Sequence, residues 1–136
     1  MELQRTLELL RRRPGMLGVD GSFGQTAAFL EGVNVGQQGG LLQGFREWLV
    51  VQVGDGANLT WRALVVRLAN GESGSGGSEG PSADDERRIT RVLFDQLDQF
   101  LAARESTDGL LKIYDNYLKW LRRQDWYTPN SPSYLD

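Results

Sequence analysis

The chain has 136 residues, of which 40% are hydrophobic and 24% charged, with a formal net charge of −3 and a pI of about 5.0. These values are typical of a single globular domain that buries a core. The mild acidic balance argues against nucleic-acid binding, which usually needs a basic surface. The sequence contains no histidine and no cysteine, which excludes Ser-His and Cys-His catalysis and the usual zinc sites.

The sequence also predicts where the protein resides. No apolar run reaches the roughly 18 residues of a membrane-spanning helix. In the first fifteen residues the basic side chains follow the apolar ones, which is the reverse of the order in a signal peptide. We therefore expect a cytoplasmic protein that has no membrane partner.

The first predicted helix covers residues 2–13 and places Leu3, Leu7 and Leu10 on one face. Pro14 and Gly15 end it. The arginines at 11–13 lie where cations interact favourably with the helix dipole. Phosphate binding is the alternative, but the same helix carries acids and offers no interleaved aromatic residues.

Two central segments form the expected core of the fold. Residues 41–53 and 61–69 both carry apolar residues at helical spacing, and a short polar break separates them. Asn58 or Thr60 is placed to cap the second of these helices. For the second segment, a strand is the alternative at the run Leu64 to Val66. A further helix is predicted earlier in the chain, after Ser22.

The second half of the chain predicts two more helices. Residues 70–83 are rich in Gly and Ser, so we expect a disordered loop inside one domain; a phosphate-binding loop would need a Gly-Lys-Ser/Thr ending that is missing. A helix then opens at 84–86, and another follows a cap at Ser106 or Thr107. Residues 125–136 contain two prolines and predict an irregular tail. The expected fold is all-α, a single domain of about six helices.

Charged and aromatic residues supply the candidate contact surface. Asp95 and Asp98 share one face of a helix at i, i+3. A metal site that also uses Asp84 and Asp85 is the alternative for this pair. Glu47 beside Arg46 looks like ordinary surface pairing. The candidate partner-binding residues are Asp95, Asp98, Asp108, Asp115, Trp120 and Trp126, with Trp120 expected on the surface because it lies off the predicted apolar stripe.

Several short motifs carry a family resemblance over roughly residues 3–101. They are Arg-Pro-Gly-Met at 13–16, Phe-Leu-Glu-Gly at 29–32, Phe-Arg-Glu-Trp-Leu at 45–49, Trp61, and Asp-Gln-Phe-Leu at 98–101. The chain resembles a group of small, largely uncharacterised bacterial proteins with an RPGMY-L-G, FL-GY and F-EW pattern. Leu17 and Val33 stand where that pattern has tyrosines. Some members of the group lie beside polymorphic toxins, in the manner of immunity proteins.

The resemblance and the missing catalytic side chains together lead to the functional expectation. We expect a non-catalytic protein-binding protein, an immunity protein that blocks a cognate toxin by stoichiometric binding, with no cofactor and no metal. Its acidic residues would meet a basic toxin surface, and a tryptophan would supply the apolar anchor. The alternative is a regulatory or scaffold subunit of a bacterial complex with no toxin partner.

Overall fold

A computed structural model of the chain describes residues 2–71 and 82–128. Within these ranges the chain forms six α-helices, a 3₁₀ turn at Pro14–Leu17 and no strand, which confirms the predicted all-α fold. The helices are α1 (Leu3–Arg12), α2 (Phe23–Gly36), α3 (Phe45–Val53), α4 (Trp61–Asn70), α5 (Ala83–Glu105) and α6 (Gly109–Arg122). Leu64 to Val66 belongs to α4, so the strand alternative at that run is wrong.

Side-chain caps define three of the helix starts. Ser22 accepts a hydrogen bond from the backbone N–H of Gln25 at α2, and Thr60 accepts one from Ala63 at α4, as their positions predicted. At α5 a full capping box forms, because Ser82 and Asp85 each accept from the other's backbone N–H. The expected cap of α6 at residue 106 or 107 is wrong, since α6 begins after Asp108, whose backbone is left-handed at φ 55°.

Residues 41–44 form a turn before α3, although they were predicted to be helical. The sequence predicted a helix from residue 41, but α3 begins at Phe45. Arg104 donates hydrogen bonds to the carbonyls of Gly40, Leu41 and Gln43, and the Asn34 side chain accepts from the N–H of Leu42. The bonds from Arg104 satisfy carbonyls that a helix would pair internally, and Asn34 satisfies an N–H that a helix start would leave unpaired. Leu41 and Leu42 are still buried, because the turn delivers both side chains to the core.

One hydrophobic core receives side chains from all six helices. The long helix α5 lies at its centre and packs against α2, α3, α4 and α6. An aromatic cluster joins three of these helices: Phe45 of α3 lies with its ring centroid 5.1 Å from that of Phe100 in α5 and 5.8 Å from that of Trp61 in α4. α1 adds Leu7 and Leu10 to the same core, and both are buried.

The predicted loop and tail are only partly within the described residues. Asn70 ends α4, and Ser82 and Ala83 start α5, so the ends of the predicted 70–83 loop belong to helices. The rest of that loop, residues 72–81, lies outside the described residues. In the predicted tail, residues 125–128 are described and are not helical, as expected, while 129–136 lie outside the described residues.

Candidate functional site

α1 and α5 line opposite sides of an open groove of about 390 Å³, called the α1–α5 groove below. Helical spacing builds its floor, because Phe94, Leu97 and Leu101 fall on one face of α5, and Leu7 of α1 adds to it. The groove is lined by Gln4, Leu7, Glu8, Arg11 and Arg12 from α1 and by Phe94, Leu97, Asp98, Leu101, Ala102 and Glu105 from α5. Its floor is therefore apolar and its rim is charged.

Arg11 ties α1 to α5 at one end of the α1–α5 groove. Its guanidinium group donates to Asp95 Oδ1 at 2.7 Å and to Asp98 Oδ2 at 2.8 Å, and its Cζ lies 5.6 Å from the ring centroid of Phe94. The three charged side chains are 38%, 50% and 66% exposed, so water screens both ion pairs. Each pair contributes roughly 0–1 kcal/mol to stability. Arg11 therefore helps to position α1 against α5 more than it stabilises the fold.

The two helices run antiparallel along the groove. From the contacts of Arg11 with residues 95 and 98, the groove lining extends back along α1 to Gln4 and forward along α5 to Glu105, as it does between antiparallel helices. Seven residues span about 10.5 Å along a helix. The arginine-bearing end of the groove is therefore separated from the end that carries Gln4 and Glu105.

Arg11 contacts both Asp95 and Asp98, which share a face of α5 as their spacing predicted, but of the candidate residues only Asp98 lines the groove. Asp108 precedes α6 and is exposed, and Asp115 lies on α6, where it forms an ion pair of 2.8 Å with Lys119. Neither lines the α1–α5 groove. The six candidates therefore do not form one continuous surface around this groove.

Trp120 is buried, with only 7% of its surface exposed, so its expected place on the surface is wrong. Its ring stacks on Tyr117 with a centroid distance of 6.2 Å and an interplanar angle of 24°. The buried face of α6 is made by Ile113, Tyr117, Trp120 and Leu121, a stripe shifted from the predicted one. Trp126 is 52% exposed and is the tryptophan that a partner could reach.

Two carboxylates were misjudged or missed in the sequence. Glu47 is only 7% exposed, so it is not a surface residue paired with Arg46. Burial raises the pKa of Glu47, while its own backbone N–H and Arg46 act in the opposite direction. The apolar run from Trp48 to Val51 could have predicted the burial of Glu47, since a helix that is apolar on most sides is buried. Glu105 was missed although it follows Asp98 by seven residues and so shares its face.

The described residues contain no group of three or more His, Cys, Asp or Glu side chains that could hold a metal ion. Asp95 and Asp98 already contact Arg11, whereas Asp84 and Asp85 pair with Arg87 and Arg88 near the start of α5. Eleven residues of helix, about 16 Å, separate Asp84 from Asp95. The four carboxylates weighed as a metal site are therefore not close together.

A second cleft, of about 770 Å³, lies where α3 and α4 end. Its wall contains the ion pair between Asp55 and Arg67, with 2.8 Å between the charged atoms, and the backbone at Gly54 and Gly71. It lacks the continuous row of leucines and phenylalanine that forms the floor of the α1–α5 groove. Of the two, the α1–α5 groove is the better candidate for a protein interface.

No family model, curated protein or solved structure matches this chain. Among the helices that the structure describes, none has both the length and the apolar character required to cross a membrane.

Proposed function

We propose that the chain is a protein-binding protein of the cytoplasm that neutralises a bacterial toxin by stoichiometric binding, as an immunity protein does. The observation that carries this proposal is the α1–α5 groove, which combines an apolar floor with a rim where carboxylates outnumber guanidinium groups. Buried apolar anchors supply much of the affinity of a protein interface, and complementary charge speeds association and selects the partner.

Two features of the sequence support the same proposal. The chain has no histidine or cysteine with which to perform common nucleophilic catalysis, which favours inhibition by occlusion. Its short motifs resemble those of small bacterial proteins that include neighbours of polymorphic toxins. The small excess of carboxylates on the groove rim suits a partner with a basic surface, a feature typical of proteins that bind nucleic acid.

The test uses a pair of matched substitutions in the full chain. Ala102 is exposed and lines the α1–α5 groove, whereas Ala28 is exposed on α2 and does not line it. Ala102→Trp fills the groove, and Ala28→Trp adds the same bulk elsewhere. The tagged wild type and both variants are used to capture partners from the native lysate, and the captured proteins are identified and quantified by mass spectrometry.

We expect one partner in stoichiometric amount with the wild type and Ala28→Trp, and much less of it with Ala102→Trp. The captured partner is then expressed alone and with each variant. Its toxicity should be suppressed by the wild type and Ala28→Trp but not by Ala102→Trp. A partner that is not toxic would replace this proposal with the scaffold alternative, and equal capture by all three proteins would remove the groove from the interface.

A further inference from the structure

The α5 side of the α1–α5 groove already binds one guanidinium group, that of the chain's own Arg11. Asp95 and Asp98 lie one helical turn apart and each accepts a hydrogen bond from a different nitrogen of Arg11. Phe94 provides an aromatic surface 5.6 Å from Arg11 Cζ. A planar, weakly hydrated cation with several donors matches such a combination of carboxylates and ring, whereas the compact ammonium of lysine matches it less well.

The other end of the groove also carries a carboxylate, and this one forms no ion pair with any described residue, although its charge acts on the neighbouring Arg104. Glu105 lies there, and no described cation lies within ion-pair distance of it. By contrast, Arg12 pairs with Glu8 at 3.4 Å, and Arg11 pairs with Asp98. The neighbouring Arg104 extends away from the groove, toward the carbonyls of the turn before α3.

The position of Glu105 adds to its attraction for a cation. It is the last residue of α5, where the helix dipole places partial negative charge. Leu101 and Leu7 form apolar floor beside it, which the three methylene groups of an arginine stem can cover. A volume of about 390 Å³ is at the small end of ligand pockets, so the groove accommodates one or two side chains.

We propose that the α1–α5 groove is an arginine-binding site, in which an arginine side chain of the partner protein lies over Leu101 and donates to Glu105. This inference rests on the proposed protein-binding function and specifies the chemistry that the groove selects. Arg11 and the partner's arginine then occupy opposite ends of one groove, each facing carboxylates of α5.

The experiment measures binding of three small probes to the full chain labelled with ¹⁵N. The probes are the acetylated amides of arginine, of lysine and of citrulline, the last being the neutral counterpart of arginine. Arginine amide should cause saturable shifts of backbone amide signals at residues 97–105 and 4–12. Lysine amide should bind more weakly, and citrulline amide should cause no saturable shift.

Substitutions locate the site within the groove. Glu105→Gln should weaken arginine amide binding about two- to fivefold, the effect of one exposed ion pair. Asp84→Asn removes one negative charge at the far end of the same helix and should leave the affinity unchanged. Ala102→Trp, which fills the groove, should abolish the shifts. Retained folding of each variant is read from the remaining amide signals.

Absence of saturable shifts, equal binding of citrulline amide, or an affinity unaffected by Glu105→Gln would overturn the arginine site. The proposed function fails on a different result, namely capture of a partner that is not toxic. A groove that captures a partner but ignores arginine amide would therefore leave the function standing and exclude only the arginine.

Discussion

At the scale of single residues, Glu47 is the unusual feature of the core. It is the one charged residue among the buried residues of the described ranges. Its neighbours include Tyr114, whose pKa is raised first by burial and next by the negative charge of Glu47. Taking a carboxylate out of water is costly, and no nearby cation fully compensates for it, so burial raises the pKa of Glu47.

The raised pKa makes stability depend on pH with a definite sign. The folded protein holds the Glu47 proton more tightly than the unfolded chain does. The stability contributed by the neutral carboxyl group is therefore present below the ordinary pKa of 4.5 and is lost as pH rises through the raised value of the folded state. Near neutral pH, the ionised form of Glu47 therefore stabilises the fold less than its neutral form would.

Glu47→Gln should raise the free energy of unfolding at pH 7 by roughly 0.5–2 kcal/mol, the common range for a stabilising substitution. The gain should shrink as pH falls toward 4, because both side chains are then neutral. Urea unfolding at several pH values measures it. The control Glu2→Gln changes an exposed residue and should have an effect below about 0.5 kcal/mol. A gain for Glu47→Gln that is constant with pH would contradict this explanation.

The sequence predicted individual residues unevenly, and the reason is physical. Asp95 and Asp98 could be placed on one face from their spacing, but their contact with Arg11 crosses 84 and 87 residues of chain and leaves no local signal. Trp120 was misplaced because a shift of the buried stripe by one position changes which side chains face inward. Glu47 was misplaced because local pairing rules take no account of how many neighbours cover a helix.

At the scale of elements, two glycines delimit α3 and differ in their surroundings. Gly44 precedes the helix at φ 89°, and Gly54 follows it at φ 79°, so both adopt left-handed backbone. A Cβ atom at Gly44 would lie 2.9 Å from Leu110 Cδ1, whereas one at Gly54 would meet nothing within 4 Å. Gly44 thus allows α6 to approach the start of α3.

Alanine substitutions at Gly54 and Gly44 therefore distinguish the cost of backbone strain alone from the cost of strain with steric overlap. Gly54→Ala should cost about 1–2 kcal/mol, the strain of a left-handed alanine. Gly44→Ala should cost about 0.5–1.5 kcal/mol more, because the added methyl group pushes the end of the Leu110 side chain from its preferred rotamer. Chemical unfolding of both variants gives the two values. Equal losses would mean that Leu110 moves aside freely and that close packing at Gly44 does not matter.

The sequence predicted that the helices exist, but it predicted only some of the residues at which they begin and end. The apolar stripes of α1 and α5 and the caps at Ser22 and Thr60 are local signals, and the structure follows them. The start of α3 is set by Arg104 and Asn34, which take up backbone groups of the preceding turn from other helices. Apolar spacing continued through Leu41 and Leu42, so the pattern alone extended the helix too far.

At the scale of the whole molecule, a single core links all six helices. We therefore expect one cooperative unfolding transition, with far-UV circular dichroism and tryptophan fluorescence giving the same midpoint. Leu10→Ala, in the fully buried part of α1, should lower both midpoints together and cost about 2–5 kcal/mol. Leu111→Ala is the control, since that leucine is 68% exposed. A separate early loss of helix signal in Leu10→Ala would show that α1 unfolds on its own.

The pairing of α1 with α5 has a consequence for synthesis on the ribosome. The ion-pair partners of Arg11 lie 84 and 87 residues later in the chain. At translation rates of roughly 5–20 residues per second, they are synthesised about 4–17 s after Arg11. Throughout that time Leu7 and Leu10 have no α5 to cover them. A nascent chain that stalls before α5 emerges displays an uncovered amphipathic helix, which is the kind of surface that chaperones and proteases recognise.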